Sequence, residues 1–304
     1  MIIKKLILEN FRGYKNVEMS FQSGINVLIG KNDVGKSTIL EAMDIFFGGG
    51  KTTIDIADKC VDVVGNIVIT VLLEVDKQKE YLLDTDVKSN LKTEYLLNNE
   101  GLLEIRKEWD CSKGKLTASS LKVFLNAEYP KAFKKKPLPT LKIDELKDLL
   151  ESKKSAVDLL DLHSYITDNK IDSIDIAPYS PDLDEKPTIS LDKRKRSSIR
   201  NILYEVLRQQ NELELETTLI QMNKEDCKNI YEALSNDLPI FELFQSDREN
   251  KDNDKGIQDP LKIVTKRVIK NSQNIIDELV QKVENEIEIT SRNTLAMLKW
   301  ILRF

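Results

Sequence analysis

The sequence predicts an α/β fold with an antiparallel accessory sheet, a helical insertion and a C-terminal coiled-coil-like helix. Short segments that alternate apolar and polar residues open the chain, which is typical of strands. The glycine-rich stretch GKNDVGKST follows at residues 30–38, between one of these segments and a helical pattern. In the second half, apolar residues recur at helical spacing. The chain therefore begins with β-structure around one strand–loop–helix unit and continues mostly as helices.

The first strands are predicted from IIKKLILENF, NVEMSF and GINVLIG, and the third runs directly into the glycine-rich stretch. KSTILEAMDIFF then places apolar residues at helical spacing until the glycines at 48–50 end the helix. NIVITVLLEVD, GLLEIRKEWD and KLTASSLKVFL indicate further strands separated by polar turns. They predict an antiparallel accessory sheet, which completes a lobe over residues 1–130.

Residues 131–236 are predicted to form a mainly helical insertion. A basic loop with two prolines begins it, IDELKDLLESK and SAVDLLDLHSYI follow with helical period, and a long helical pattern runs from about Arg194 to Met222. Residues 237–257 return to the lobe as the buried strand LPIFELF and a polar loop. Residues 258–304 form a long helix that suits one side of a coiled-coil hairpin.

Composition places the chain among globular proteins. Its 304 residues are 40% hydrophobic, and 46 basic against 51 acidic side chains give a net charge of −5, which argues against a surface coated by nucleic acid. The distant cysteines Cys60, Cys111 and Cys227 indicate neither a zinc site nor disulfides. The opening segment MIIKKLILENFRGY has too short and too charged an apolar run for a secretory signal, and no run approaches the roughly 20 apolar residues that cross a membrane. We expect a cytoplasmic protein without membrane contact.

The stretch GKNDVGKST matches the pattern GxxxxGK[ST], in which a glycine-rich loop binds nucleotide phosphates. Gly30 and Gly35 would let successive backbone N–H groups point at the phosphates. Lys36 would reach the β- and γ-phosphates, Ser37 would ligate Mg²⁺ and Thr38 would lie near the α-phosphate. The dipole of the following helix adds attraction for the anion. The stretch therefore predicts binding of a nucleoside triphosphate with Mg²⁺.

LILENFRGY followed by INVLIGKNDVGKSTILEAMDIFF resembles the N-terminal lobe of the ABC-type P-loop ATPase heads of the RecF, SMC and overcoming-lysogenization-defect (OLD) families. Asn32 and the later LEA run strengthen the resemblance, which covers residues 1 to about 50. The short insertion is more similar to OLD-like ATPases than to a long-armed SMC protein. The resemblance implies ATP and Mg²⁺ as ligands. It also implies that Arg12 lies near the nucleotide and couples its binding to dimerisation.

The same families place a glutamine after a strand, where it touches Mg²⁺ and the attacking water, and Gln245 after LPIFELF fits that description. Lys36 and Gln245 are thus the implied catalytic residues, and Ser37 and Gln245 the implied Mg²⁺ ligands. The acidic strand and serine-glycine signature of these ATPases are not recognisable, and an accessory strand explains Glu74 and Asp76 in VITVLLEVD better. We expect the chain to be the N-terminal half of a longer protein that hydrolyses ATP in its complete form.

Other candidate chemistry has less support. His163, the only histidine, has no identifiable serine or cysteine partner, and the acidic residues of the loop at 247–259 lack the spacing of a calcium loop. The basic runs at 134–136 and 193–196 are candidates for DNA contact. Solvated loops explain both runs better, because neither is interleaved with aromatic residues.

The leading interpretation is an ATPase head that forms a homodimer around ATP and Mg²⁺ and controls DNA binding or an attached nuclease or effector, in anti-phage defence or DNA repair. The alternative is a non-hydrolysing module that binds a protein partner through its exposed sheet and coiled-coil segment. A GTPase or nucleotide kinase ranks last, because the chain has no NKxD-like motif to read a base.

Overall fold

The computed structural model describes residues 1–31, 35–48, 52–61, 63–77, 79–82, 88–153, 175–176, 189–190, 193–210, 212–241 and 243, with residues 265 and 269. The chain divides into two compact units, Met1–Phe241 and Glu242–Phe304. In the second unit only Leu243, Thr265 and Ile269 are described, and the last two are helical. The predicted helix at 258–304 otherwise lies outside the described residues.

The first unit contains ten described strands. In chain order they are β1 (Ile2–Phe11), β2 (Tyr14–Ser20), β3 (Ile67–Glu74), β4 (Glu80–Leu82), β5 (Lys88–Asn90), β6 (Leu103–Trp109), β7 (Leu121–Pro130), β8 (Asp175–Ile176), β9 (Ile189–Ser190) and β10 (Leu215–Gln221). Six of them form one sheet in the order β10-β7-β6-β3-β1-β2, with every neighbouring pair antiparallel. The remaining strands form the pairs β4–β5 and β8–β9. The predicted mixed α/β fold with an antiparallel sheet is confirmed.

Four helices have described bounds: α1 (Lys36–Phe47), α2 (Ile143–Ser152), α3 (Arg196–Gln209) and α4 (Glu225–Asp237). Helix α1 lies between Gly35 and Gly48, whose φ angles of 92° and 71° are left-handed. Glycine adopts this conformation without the clash that a Cβ causes, and the N–H of Gly48 bonds to the carbonyl of Asp44. The predicted loop-to-helix junction and glycine stop are therefore confirmed.

The core lies on one face of the six-stranded sheet. Because alternate residues of a strand share a face, the register aligns one buried apolar row across five strands. The row is Ile220, Leu125, Ile105, Val71 and Leu6. Residues Ile39, Ala42 and Phe46 of α1 belong to the same hydrophobic cluster. This packing fixes the helix that follows the phosphate loop.

A buried ionic network links α3 to α4 and to the loop before β6. Arg200 is fully buried and donates through Nε and Nη2 to the two carboxylate oxygens of Glu94, at 3.0 and 3.1 Å. Its Nη1 donates to Asp226. Two fully buried tyrosines lie in the same cluster, with 2.7 Å between the hydroxyl oxygens of Tyr129 and Tyr204. The polar groups of this layer are thus satisfied by one another.

Two predicted strands are wrong. Residues 24–30 belong to no strand, and Ile25, Val27 and Ile29 are 93%, 71% and 91% exposed. Alternation shows that a segment can form a strand, but a strand also needs a neighbour for its backbone hydrogen bonds, and none of the described residues supplies one. LPIFELF is likewise not a strand at residues 238–241 and 243, although Phe241 stacks on Phe47 at 6.1 Å between ring centroids.

The helical pattern predicted from Arg194 to Met222 is only partly correct. Helix α3 ends at Gln209, and Leu215–Gln221 is strand β10, which pairs with β7 at the edge of the sheet. The short segment Leu215–Gln221 is compatible with both helical spacing and strand alternation, and it contains β-branched threonines. Pairing with β7 therefore determines that it is a strand. The predicted helix at 155–166, with His163, lies outside the described residues, and the predicted domain boundaries remain predictions.

None of the helices in the described ranges combines the length and the apolar composition that crossing a bilayer requires.

Candidate nucleotide site

In the predicted phosphate loop, residues 30–38, the Lys36 side chain reaches back to the backbone of residues 30 and 31. The ammonium of Lys36 donates to the carbonyl oxygen of Gly30 at 2.7 Å and to that of Lys31 at 2.5 Å. Gly35 precedes the helix with φ 92° and ψ 12°. The structure therefore brings together the predicted residues Gly30, Gly35 and Lys36, whereas Asn32 lies outside the described residues.

The first turn of α1 is suited to an anion. Ser37 is exposed and Thr38 is half-buried. Because the first backbone N–H groups of a helix have no partner within the helix, the N-terminus carries partial positive charge. No acidic side chain occupies this turn to compete for that charge. Both predicted residues therefore lie where a phosphate is attracted.

Tyr14 approaches the loop from the start of β2. A Cβ built on Gly35 would lie 2.4 Å from the hydroxyl oxygen of Tyr14 and 2.8 Å from its Cζ, which is closer than atoms pack. Two features therefore favour glycine at residue 35: the left-handed backbone, and the tyrosine, which a side chain there would have to displace. Tyr14 was not predicted as a site residue, although the motif NFRGY, which carries the resemblance, contains it.

Arg12 lies in the turn between β1 and β2, beside α1. Its Nε donates to Oδ1 of Asp58 at 2.8 Å, and its Nη1 forms an ion pair with Glu41. Glu41 follows Ser37 by four residues, so both lie on one face of α1, about 6 Å apart along its axis. The predicted arginine is thus held one helical turn from the predicted Mg²⁺ ligand.

The two carboxylates keep Arg12 charged. Burial lowers the pKa of Arg12, but the hydrogen bonds and charges of Asp58 and Glu41 outweigh burial and raise the pKa overall. The guanidinium also lies over the ring of Phe11, 5.2 Å from its centroid. The backbone φ of 51° at Arg12 is unusual for a residue with a long side chain and often marks a functional position.

The segment at 55–60 holds this turn in place. The backbone N–H of Arg12 donates to the carbonyl oxygen of Asp58 at 2.5 Å, and Phe11 forms a bridge with Lys59. Asp58 is itself fixed, because its Oδ2 accepts from the N–H of Asp55 at 2.8 Å. Asn10, also with positive φ, donates to the carbonyl of Gly65 at 3.0 Å. Asp58 and Glu41 were not predicted as site residues, since nothing local relates either of them to Arg12.

Other predicted residues lie away from this site or outside the described part of the chain. Gln245 and the acidic residues at 247–259 lie outside it. Glu74 is exposed at the end of β3 and pairs with Lys4 at 2.7 Å, as expected of an accessory strand.

The basic runs pair with neighbouring carboxylates, as solvated or packed side chains do. These pairs are Lys134 with Glu216 at 2.6 Å, Lys136 with Glu145 at 3.7 Å, Lys193 with Glu151 at 3.5 Å and Arg196 with Asp226 at 2.7 Å. Cys60 and Cys227 are buried, and Cys111 is half-buried.

Comparison with known proteins identifies the family. The family described as AAA ATPase domain matches residues 1–302. The DNA replication and repair protein RecF of Rickettsia canadensis is 35% identical over 107 residues, which cover 33% of this chain and 30% of the relative. The DNA double-strand break repair Rad50 ATPase of Methanococcus maripaludis is 48% identical over 44 residues, or 14% of this chain and 4% of the relative.

The match to RecF spans about a third of that protein's length, and the match to Rad50 spans far less. A structure solved in work on ATP-driven dimerization and DNA-stimulated activation of SMC ATPases has a TM-score of 0.28 and 16% identity, and covers 42% of this chain and 70% of that chain. At that score it supports no further statement. The predicted similarity to RecF-type ATPases is confirmed by the RecF and Rad50 relatives, and the chain belongs to the AAA ATPase domain family.

Proposed function

We propose that this chain binds ATP with Mg²⁺ at residues 30–38 and acts as the head of an ATPase that dimerises around the nucleotide. The observation that carries the proposal is the position of the Lys36 ammonium on the carbonyls of Gly30 and Lys31, at the start of α1. Carbonyl groups are neutral, so phosphate oxygens are stronger partners for the ammonium and can take it over.

The described residues fit a phosphate in three respects. The start of α1 attracts anions, and no acidic side chain of its first turn opposes them. Gly35 adopts a backbone conformation that other residues rarely adopt, and a side chain there would have to displace Tyr14. Ser37 is exposed on the first turn, where its hydroxyl oxygen can serve as a metal ligand.

Each residue then has a role. Lys36 would stabilise negative charge on the β- and γ-phosphates, Thr38 would contact the α-phosphate, and Gly30, Asn32 and Gly35 are the proposed remaining phosphate-binding residues. Ser37 and Gln245 would hold Mg²⁺, which would supply neutralisation of phosphate charge, and Gln245 would orient the attacking water.

The role of the complete protein is proposed from its kinship. Relatives named for DNA replication and repair, and for double-strand break repair, support a role in DNA repair. The homodimer and the control of DNA binding are proposed from the resemblance to RecF-type heads. The resemblance to OLD-like ATPases supports anti-phage defence with an attached nuclease or effector. Arg12 couples nucleotide binding to dimerisation in both cases.

A non-hydrolysing interaction module is the second candidate. Exposed Ile25, Val27 and Ile29 favour it, because a run of exposed β-branched residues is typical of a surface that a protein partner covers. In that case the partner binds equally well to the wild-type chain and to Lys36→Ala.

Calorimetry with ATP and Mg²⁺ tests the proposal, with hydrolysis assayed in the same samples. We expect saturable binding by the wild-type chain and a loss of affinity of about 100-fold, or about 2.7 kcal/mol, in Lys36→Ala. Lys134→Ala is the matched control, because it removes a lysine that pairs with Glu216 far from the loop. No binding by the wild-type chain, or equal binding by Lys36→Ala, would contradict the proposal.

A further inference from the structure

We infer that Asp58 and Glu41 are positioning residues, which hold the Arg12 guanidinium where it contacts a phosphate of the nucleotide bound at residues 30–38. The inference rests on the proposed nucleotide site and assigns to it two carboxylates that do not touch the ligand themselves.

The contacts to Asp58 fix both the backbone and the side chain of Arg12. The backbone N–H and Nε of Arg12 donate to the carbonyl and the carboxylate of Asp58, at 2.5 and 2.8 Å. Two contacts from one residue restrain both ends of a flexible side chain. Asp58 lies at the end of the short 3-10 turn Ile56–Asp58, which Asp55 caps through a reciprocal pair of hydrogen bonds. The support for Arg12 is therefore itself rigid.

Glu41 fixes the guanidinium relative to the loop. It lies on α1, one turn after Ser37, and pairs with Nη1 of Arg12. With Nε and Nη1 bound to carboxylates, Nη2 donates to no acceptor in the described part of the chain. The Arg12 side chain is 29% exposed, so solvent and ligands reach it. A phosphate oxygen is a suitable acceptor for the remaining donors.

Electrostatics alone predicts the opposite effect. Asp58 and Glu41 carry two negative charges near an anion site, so removing either charge would strengthen ATP binding if neither oriented Arg12. If they position Arg12, the loss of a carboxylate weakens binding, and only while Arg12 is present. The sign of the effect therefore separates positioning from bulk charge.

The experiment measures the affinity for ATP with Mg²⁺ in Asp58→Asn, Glu41→Gln, Arg12→Ala and the two double variants that include Arg12→Ala. We expect each carboxylate variant to weaken binding about fivefold in the wild-type background. In the Arg12→Ala background the same substitutions should leave affinity unchanged or raise it. Glu216→Gln removes a paired carboxylate on β10 and serves as the control.

Thermal unfolding of every variant separates a folding defect from a binding defect. If Asp58→Asn does not fold, Glu41→Gln on the surface of α1 still tests the inference. The inference would be overturned if the carboxylate variants lost the same ATP affinity with and without Arg12→Ala. It would also be overturned if they bound ATP more tightly in the wild-type background. If instead the wild-type chain fails to bind ATP, or Lys36→Ala binds normally, the proposed function fails and the inference fails with it. If the wild-type chain binds ATP and Lys36→Ala loses affinity as expected, but Asp58→Asn and Glu41→Gln leave the affinity unchanged, the inference alone fails.

Discussion

Arg12 and Arg200 each contact two carboxylates, and the two arginines differ in burial. Beside the phosphate loop, Arg12 lies between Asp58 and Glu41 and is 29% exposed. Between α3 and α4, Arg200 lies between Glu94 and Asp226 and is fully buried. The same chemistry therefore occurs at Arg12, where a ligand can reach the side chain, and at Arg200, which is closed to solvent.

The difference shows what burial does to an ion pair. A buried charge that loses its partner stays in a medium that solvates it poorly, so all three members of the Arg200 network depend on one another. Around Arg12, water compensates for much of a lost contact. We therefore expect the Arg200 network to govern stability and the Arg12 cluster to govern binding.

The largest expected effect comes from comparing Arg200→Met with Arg12→Met. Arg200→Met leaves the buried Glu94 without its arginine and leaves Asp226 paired with Arg196, so it should lower the free energy of unfolding by about 3–5 kcal/mol. Arg12→Met should lower it by about 1 kcal/mol or less. Urea unfolding of both variants measures the difference. Similar losses of unfolding free energy in the two variants would show that burial does not distinguish the two arginines.

The buried tyrosines beside Arg200 provide a second test that this region governs stability. Tyr129 accepts from the backbone N–H of Leu138 at 3.0 Å and bonds to the Tyr204 hydroxyl. Tyr129→Phe leaves a buried backbone donor without its acceptor and should cost about 2 kcal/mol. Tyr204→Phe, the matched control, leaves that donor bonded and should cost less. If urea unfolding showed the reverse order, the hydrogen bond to Leu138 would not be the reason.

A smaller loss of stability is expected from Gly35→Ala on the loop side. The left-handed backbone should cost about 1–2 kcal/mol, and the overlap with Tyr14 adds to it. Adding Tyr14→Ala to Gly35→Ala should relieve the overlap but not the backbone strain. Thermal unfolding should therefore show that the double variant recovers only part of the lost stability. ATP affinity should fall in both glycine variants, and full recovery would show that sterics alone require glycine.

The smallest effect is a pH dependence at Lys107, on the buried face of β6. Its ammonium donates to the carbonyl of Phe46 at 2.6 Å, and burial lowers the pKa of Lys107 to about 8, from 10.5. Above pH 8 the unfolded chain binds more protons than the folded chain, so stability rises with pH. The wild-type chain should gain about 1 kcal/mol over Lys107→Met between pH 8 and pH 9, measured by urea unfolding at both. If the unfolding free energies of the wild-type chain and Lys107→Met changed equally between pH 8 and pH 9, the lowered pKa of Lys107 would be contradicted.

Local sequence patterns predicted the parts of the site that lie close together in the chain. The GxxxxGK[ST] spacing placed Gly35 at the start of α1, and Gly48 ended the helix, because both depend on backbone angles of single residues. Arg12 was found only through the resemblance. Its partner Asp58 is 46 residues away, and no local pattern relates the two.

The sequence alone therefore determined the two N-terminal strands, the loop-to-helix junction and the central antiparallel strands, since alternation, helical period and glycine positions act over a few residues. Only the tertiary structure decided that residues 24–30 form no strand, that Leu215–Gln221 joins the sheet and that Arg200 pairs with Glu94, 106 residues away. A strand needs a neighbour and a buried charge needs a counter-charge, and both partners come from distant parts of the chain.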